Sequence, residues 1–155
     1  MIGLRQIKAQ TRLSGHAFGS GGKRAGNLGL MVQVPEIILV VDDDAAVRAA
    51  LKFSLEVEGF NVRLYDGSQS VLADDRLPGR GCLVIDYRMP DIDGLELINR
   101  LRGRGVSLPA ILISGRVTKQ LRELAARSGV NCVLEKPLSD SALVENIRSV
   151  LEDHV

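Results

Sequence analysis

Three unbroken apolar runs constrain this chain most. "IILVV" (37–41) drives straight into Asp42, Asp43 and Asp44, "CLVI" (82–85) ends on Asp86, and "AILI" (110–113) ends on Ser114. None of them alternates with polar residues, so each reads as a strand buried on both faces. Such a strand needs a covering layer on each side. The carboxylates at its end need compensation, because burying an unpaired charge is costly.

The segments between the runs are helical or weakly strand-like. "EIILVV" (36–41) is followed by helical spacing over 44–58, through Val47, Leu51, Ser54, Leu55 and Glu58, and Gly59 ends that helix. "FNVRLY" (60–65) alternates apolar and polar residues as an edge strand does. A short helix over 67–76, started by Asp66 or Ser68, leads to "GCLVID" (81–86). Helix 93–103 carries an apolar stripe of Leu95, Leu97, Ile98 and Leu101. "PAILIS" (109–114) precedes helix 116–127, closed by Gly129. "NCVLEK" (131–136) precedes helix 139–153, with Leu143, Ile147 and Leu151 on one face. Regular alternation of this kind predicts an α/β fold with a doubly wound, five-stranded parallel sheet and right-handed crossovers. The expected strand order is 2-1-3-4-5, the (βα)5 flavodoxin-like arrangement.

Residues 1–34 read differently. They are rich in glycine, without helical or strand period, and carry Arg5, Lys8, Arg12, Lys23 and Arg24 and no acid. The expectation is a disordered basic extension, or a segment outside the protein if translation starts at Met31; a nucleic-acid arm or an organelle presequence fits less well. Residues 35–155 form the expected domain. The net charge of +1 hides the asymmetry, since the residues after 35 carry 15 basic and 19 acidic side chains. A mildly acidic domain argues against a nucleic-acid surface on it. No apolar stretch approaches the roughly 20 residues needed to span a bilayer, so neither a membrane partner nor a secretory route is expected and the protein reads as cytoplasmic. Cys82 and Cys132 stand far apart inside apolar runs, without metal-ligand spacing, and read as two buried thiols.

In a parallel sheet every strand points its carboxyl end at one rim. Asp42 and Asp43 from the first strand, Asp86 from the third, Ser114 from the fourth and Lys136 from the fifth therefore converge. Three neighbouring carboxylates repel one another and raise one another's pKa. A hard divalent cation resolves that, and Mg²⁺ takes oxygen ligands while keeping several waters. Asp44 reads as a helix cap, as does Asp93. Taken singly, Ser114 also fits a turn hydroxyl or the cap of the fourth helix, and Lys136 a surface lysine. In "MPDIDG" (89–94), Pro90 fixes φ and Gly94 reads as permissive turn backbone.

The stretches "ILVVDDD" (38–44), "LVIDYRMPDIDGLEL" (83–97), "ILISG" (111–115) and "LEKPL" (134–138), in that order and spacing, resemble the receiver domain of two-component response regulators. The resemblance covers about residues 36–153. It implies that Asp86 accepts a phosphoryl group from a phosphohistidine on a partner histidine kinase or phosphotransfer protein. It implies Mg²⁺ held by Asp43, Asp86 and the backbone carbonyl of Arg88, with Asp42 acting mainly through a bound water. Ser114 matches the switch hydroxyl, Lys136 the family's ammonium, and Pro137 follows a cis Lys–Pro bond. The signal would be a changed surface at the fourth helix, fifth strand and fifth helix, a face on which a downstream protein or a second copy could dock. Such a domain modifies itself and is not otherwise an enzyme.

Two features depart from the commonest pattern. Val133 stands three residues before Lys136, where the family usually has an aromatic switch residue, so output is expected from the 114–118 loop and dimerisation instead. Arg88 and Arg116 stand two residues after Asp86 and Ser114, either as solvated side chains or as guides for anionic donors. The chain stops about one helix after Lys136, which reads as a single-domain response regulator, with a phosphate sink or a degenerate receiver as the alternative. A Mg²⁺-dependent aspartate phosphatase would want an acid where Arg88 stands. A flavin- or nucleotide-binding protein would want glycines where "DDDAAVR" stands.

Overall fold

The computed structural model describes residues 35–154, and the expectations about residues 1–34 lie outside the described residues. Five strands alternate with five helices: β1 (Ile37–Val41), α1 (Ala45–Val57), β2 (Asn61–Tyr65), α2 (Ser68–Leu72), β3 (Gly81–Asp86), α3 (Gly94–Gly103), β4 (Ala110–Ser114), α4 (Lys119–Arg127), β5 (Cys132–Glu135) and α5 (Asp140–Asp153). All strand pairs are parallel and the order is β2-β1-β3-β4-β5, as the alternation predicts.

The period of two along each strand sorts the core into two layers. Leu39, Val41, Leu83, Ile85, Ala110 and Leu112 face one side and pack with Val71 of α2, Leu97, Ile98 and Leu101 of α3 and Leu121 of α4. Ile38, Val40, Cys82, Val84, Ile111 and Ile113 face the other, against Leu51 and Leu55 of α1 and Leu143, Ile147 and Leu151 of α5. Both faces of β3 are therefore covered, and all six of its residues are buried. Each fully buried Leu or Ile contributes about 1.5–3 kcal/mol.

Four helices begin on a side-chain cap that satisfies amides of the first turn. Asp44 accepts from the amides of Ala46 and Val47, Asp93 from Glu96, Thr118 from Leu121 and Ser139 from Ala142. Three expectations are corrected here. The second helix spans only Ser68–Leu72 rather than 67–76. Asp74 just beyond it takes the Tyr65 hydroxyl at 2.5 Å and Arg63 at 3.3 Å, fixing this segment to β2 instead. The fourth helix starts at Lys119, not 116, because Thr118 caps it and the preceding loop is otherwise engaged. Cys132 is half-buried on an edge strand, its thiol donating to Asn146 Oδ1 at 3.2 Å, whereas Cys82 is buried and its burial pushes the thiol up to about 12.

Candidate functional site

The register builds the site. Val41 pairs with Ile85, so Asp42 and Asp86 leave the sheet at the same level, while Ser114 ends β4 opposite Glu135 of β5. Lys136 follows directly, its amide donating to the Ser114 carbonyl at 2.9 Å, and the Lys136–Pro137 bond is cis as expected.

Asp42, Asp43 and Asp86 each bring a carboxylate oxygen into a group whose members lie within 4.8 Å of one another. Asp42 and Asp86 are buried, and Asp43 is exposed. The Lys136 ammonium stands 3.0 Å from Asp86 Oδ1. Burial raises the pKa of Asp42 above the ordinary carboxylate value; the Asp44 amide, donating at 2.8 Å, opposes it, and the charge of Asp86 adds to it. Burial likewise raises Asp86, against the hydrogen bond and charge of Lys136, with Asp43 adding to the rise. One lysine thus faces three carboxylates. An all-oxygen donor set with excess negative charge on one rim fits Mg²⁺, which prefers such ligands.

Ser114 is buried at the end of β4, and its hydroxyl turns into its own loop. Oγ donates to the Arg116 carbonyl at 2.9 Å and accepts the Arg116 amide at 3.3 Å. Ser114 therefore sits on the same rim but is engaged with its loop, and it does not cap α4. The side chains of Arg88 and Arg116 are exposed on their loops. Val133 is partly buried against the α2–α3–α4 layer.

Three contributors were not legible beforehand. Arg48, one turn into α1, reaches back to donate to the Asp42 carbonyl at 2.7 Å. Glu135 accepts the Val117 amide at 2.7 Å. Gly94 is needed for room rather than for an unusual φ: a Cβ there would lie 2.6 Å from the Asp86 carbonyl oxygen and 2.9 Å from Leu112 Cδ1. The positive φ in this loop belongs to Asp91, at 71°. The glycine after a proline-containing turn was visible in sequence, but its reason was not.

A five-stranded doubly wound sheet with an acid triplet and a lysine at its carboxyl rim defines a class, and the chain belongs to it: residues 38–148 match the response regulator receiver domain family. Response regulators work with histidine kinases and downstream targets in two-component signalling. The chain is 40% identical over 116 residues to the transcriptional regulatory protein FixJ of Bradyrhizobium diazoefficiens, covering 74% of this chain and 56% of that one. It is 38% identical over 117 residues to the response regulator MprA of Mycobacterium tuberculosis, covering 74% and 50%. It spans about half the length of these relatives. The crystal structure of FixJ-N superposes with a TM-score of 0.70 at 32% identity, covering 79% of this chain and 98% of that one. A CheY-like receiver domain protein from Methanospirillum hungatei shares the fold, with a TM-score of 0.71 at 24% identity over 77% and 96% of the two chains. Among the described residues no helix is long and apolar enough to cross a membrane.

Proposed function

We propose that Asp86 is the phosphoacceptor of a Mg²⁺-dependent receiver, charged by a histidine kinase or a phosphotransfer protein. The observation that carries this reading is the set of three carboxylates within 4.8 Å of one another with an ammonium 3.0 Å from Asp86. Asp86 forms the new P–O bond. The P–N bond to the donor imidazole breaks, and its electron pair stays on the ring nitrogen. A carboxylate is ionised at neutral pH and needs no base for this attack. Lys136, already paired with Asp86, is placed to follow the phosphoryl oxygens as charge spreads over them. Held by Asp43, Asp86 and the Arg88 carbonyl, with Asp42 acting mainly through a bound water, Mg²⁺ would neutralise the charge that three carboxylates and a phosphoryl group bring together. The domain acts on itself and is not an enzyme in any other sense.

The readout is a surface change: once phosphorylated, the Ser114 hydroxyl turns from Arg116 to a phosphoryl oxygen, and the loop before α4 moves with it. The α4–β5–α5 face is the proposed site for a downstream protein or a second copy. Several matched relatives are named transcriptional regulatory proteins, and the chain spans about half the length of FixJ. The expectation that nucleic acid plays no part is therefore confined to the acidic receiver itself. The compartment proposed is the cytoplasm, where histidine kinases keep their phosphoryl donors.

Intact-protein mass after incubation with acetyl phosphate tests the chemistry. A single phosphoryl adduct is expected with Mg²⁺, and none with Asp86→Asn or with chelator. An adduct on the Asp86→Asn variant would place the acceptor elsewhere.

A further inference from the structure

The loop between Ser114 and Thr118 is held from two sides. On the inner side, Ser114 Oγ both donates to the Arg116 carbonyl and accepts its amide, at 2.9 and 3.3 Å. On the outer side, the carboxylate of Glu135 accepts the Val117 amide at 2.7 Å. Glu135 is paired with Ser114 in the β4–β5 register and directly precedes Lys136, whose amide donates to the Ser114 carbonyl at 2.9 Å. The end of β5 and the residue after it thus fix the first residue of the loop by backbone and the fourth by side chain. A hydroxyl carries one proton, and here it is committed to Arg116. For Ser114 to donate to a phosphoryl oxygen, that bond must break, and residues 116 and 117 must give way together.

We propose that Glu135 is a positioning residue of the switch, a latch on the Val117 amide that holds the loop in the arrangement where Ser114 is bonded to Arg116. This rests on Asp86 being the phosphoacceptor. Two loop arrangements compete, and only one of them contains the Glu135 bond. Removing the carboxylate favours the other, so a phosphoryl mimic that needs the released hydroxyl gains affinity. The bond is charge-assisted but solvent-exposed, so the expected gain is modest, about two- to fivefold. The negative charge is not essential, because a glutamine oxygen can accept the same amide proton.

The test is calorimetric titration of the whole chain with beryllofluoride in Mg²⁺, together with hydrogen exchange at the Val117 amide in the unliganded protein. Glu135→Ala should bind about two- to fivefold more tightly and lose protection at Val117. Glu135→Gln, which keeps an acceptor but a weaker one, should lie between the wild type and Glu135→Ala in both. In a Ser114→Ala background, Glu135→Ala should give no gain, because the latch acts through that hydroxyl. A wild type that binds while Glu135→Ala binds no more tightly overturns the latch alone, as does unchanged exchange at Val117. A wild type that ignores beryllofluoride overturns the phosphoacceptor reading, and the latch as part of the switch falls with it.

Discussion

At the amino ends of the strands, charged and amide side chains face backbone groups; at the carboxyl ends, carboxylates face one another. Arg102 of α3 donates to the carbonyls of Val106 at 3.0 Å and Leu108 at 2.6 Å, and more distantly to Gly129. Asn131 receives the Ala110 amide on its side chain and returns its own amide to the Ala110 carbonyl, each at 2.9 Å. These contacts tie the α3–β4 turn to the α4–β5 turn and leave little charge in conflict. The opposite rim carries Asp42, Asp43 and Asp86 against Lys136. One rim is built for stability, and the other stores an electrostatic cost that a ligand can relieve. Substitutions at the two rims should therefore differ in the sign of their effect on stability, not only in its size.

The largest effect belongs to the amino rim. Gly81 opens β3 at φ 148°, and a Cβ there would sit 1.9 Å from the Ile37 carbonyl oxygen. Two backbones meet at this point, and neither can give way without breaking the β1–β3 register. Gly81→Ala should lower stability by about 3 kcal/mol or more, read by urea denaturation. Whatever fraction remains folded should keep the Mg²⁺ affinity of the wild type, because the ion site is at the far end of the strands. A weakened ion site would mean that the rims are not independent.

Arg102→Ala comes next. Burial lowers the pKa of this guanidinium, so its charge is carried at some cost and recovered through the three carbonyls. Losing it should cost about 1–2 kcal/mol and lower Tm by about 3–8 °C. Calorimetry in the presence and absence of Mg²⁺ should give the same drop. A drop that depends on the ion would break the separation of the two rims.

The strands and the site were legible in sequence for one reason. Buried parallel strands are written as continuous apolar runs, and a parallel sheet brings their carboxyl ends to one rim. Asp42, Asp86, Ser114 and Lys136 are each the residue that ends or follows such a run, so knowing the runs meant knowing the rim. The contacts that leave no mark on the sequence cross between elements without a local pattern. Glu135 meets Val117 across two loop ends, and Arg48 reaches Asp42 against the direction of its helix. The end of α2 was misplaced because Asp74, read as a helical residue, is claimed by Tyr65 and Arg63 of β2. The start of α4 was misplaced because the hydroxyl and the carboxylate that occupy the 115–117 loop belong to other strand ends. Helix propensity was overridden at α2 by polar partners distant in sequence, and at α4 by the local Thr118 cap and Ser114 hydroxyl together with the distant Glu135.

The smallest effect has the opposite sign and tests the comparison most sharply. Asp42→Asn keeps an oxygen to accept the Asp44 amide and removes one buried negative charge from beside Asp86. Without metal it should stabilise the protein, by on the order of 1 kcal/mol at neutral pH. The pH dependence fixes the cause. The folded pKa of Asp42 lies above its unfolded value of 3.8, chiefly through burial. Between the two, the folded chain holds a proton that the unfolded chain has released, so wild-type stability falls as pH rises through this window. Above the folded value the penalty is complete, and below 3.8 it is absent. The advantage of Asp42→Asn should thus be full at pH 7 and shrink as the solution is acidified toward pH 4. Saturating Mg²⁺ should then reverse the order, because the ion stabilises whichever chain binds it better by RT ln(1 + [Mg²⁺]/Kd), and the wild type holds one more carboxylate. Chemical denaturation at several pH values, with chelator and with Mg²⁺, reads both effects. An advantage that persists unchanged at low pH would show that packing rather than charge is responsible. A stability order indifferent to Mg²⁺ would show that the three carboxylates do not share an ion.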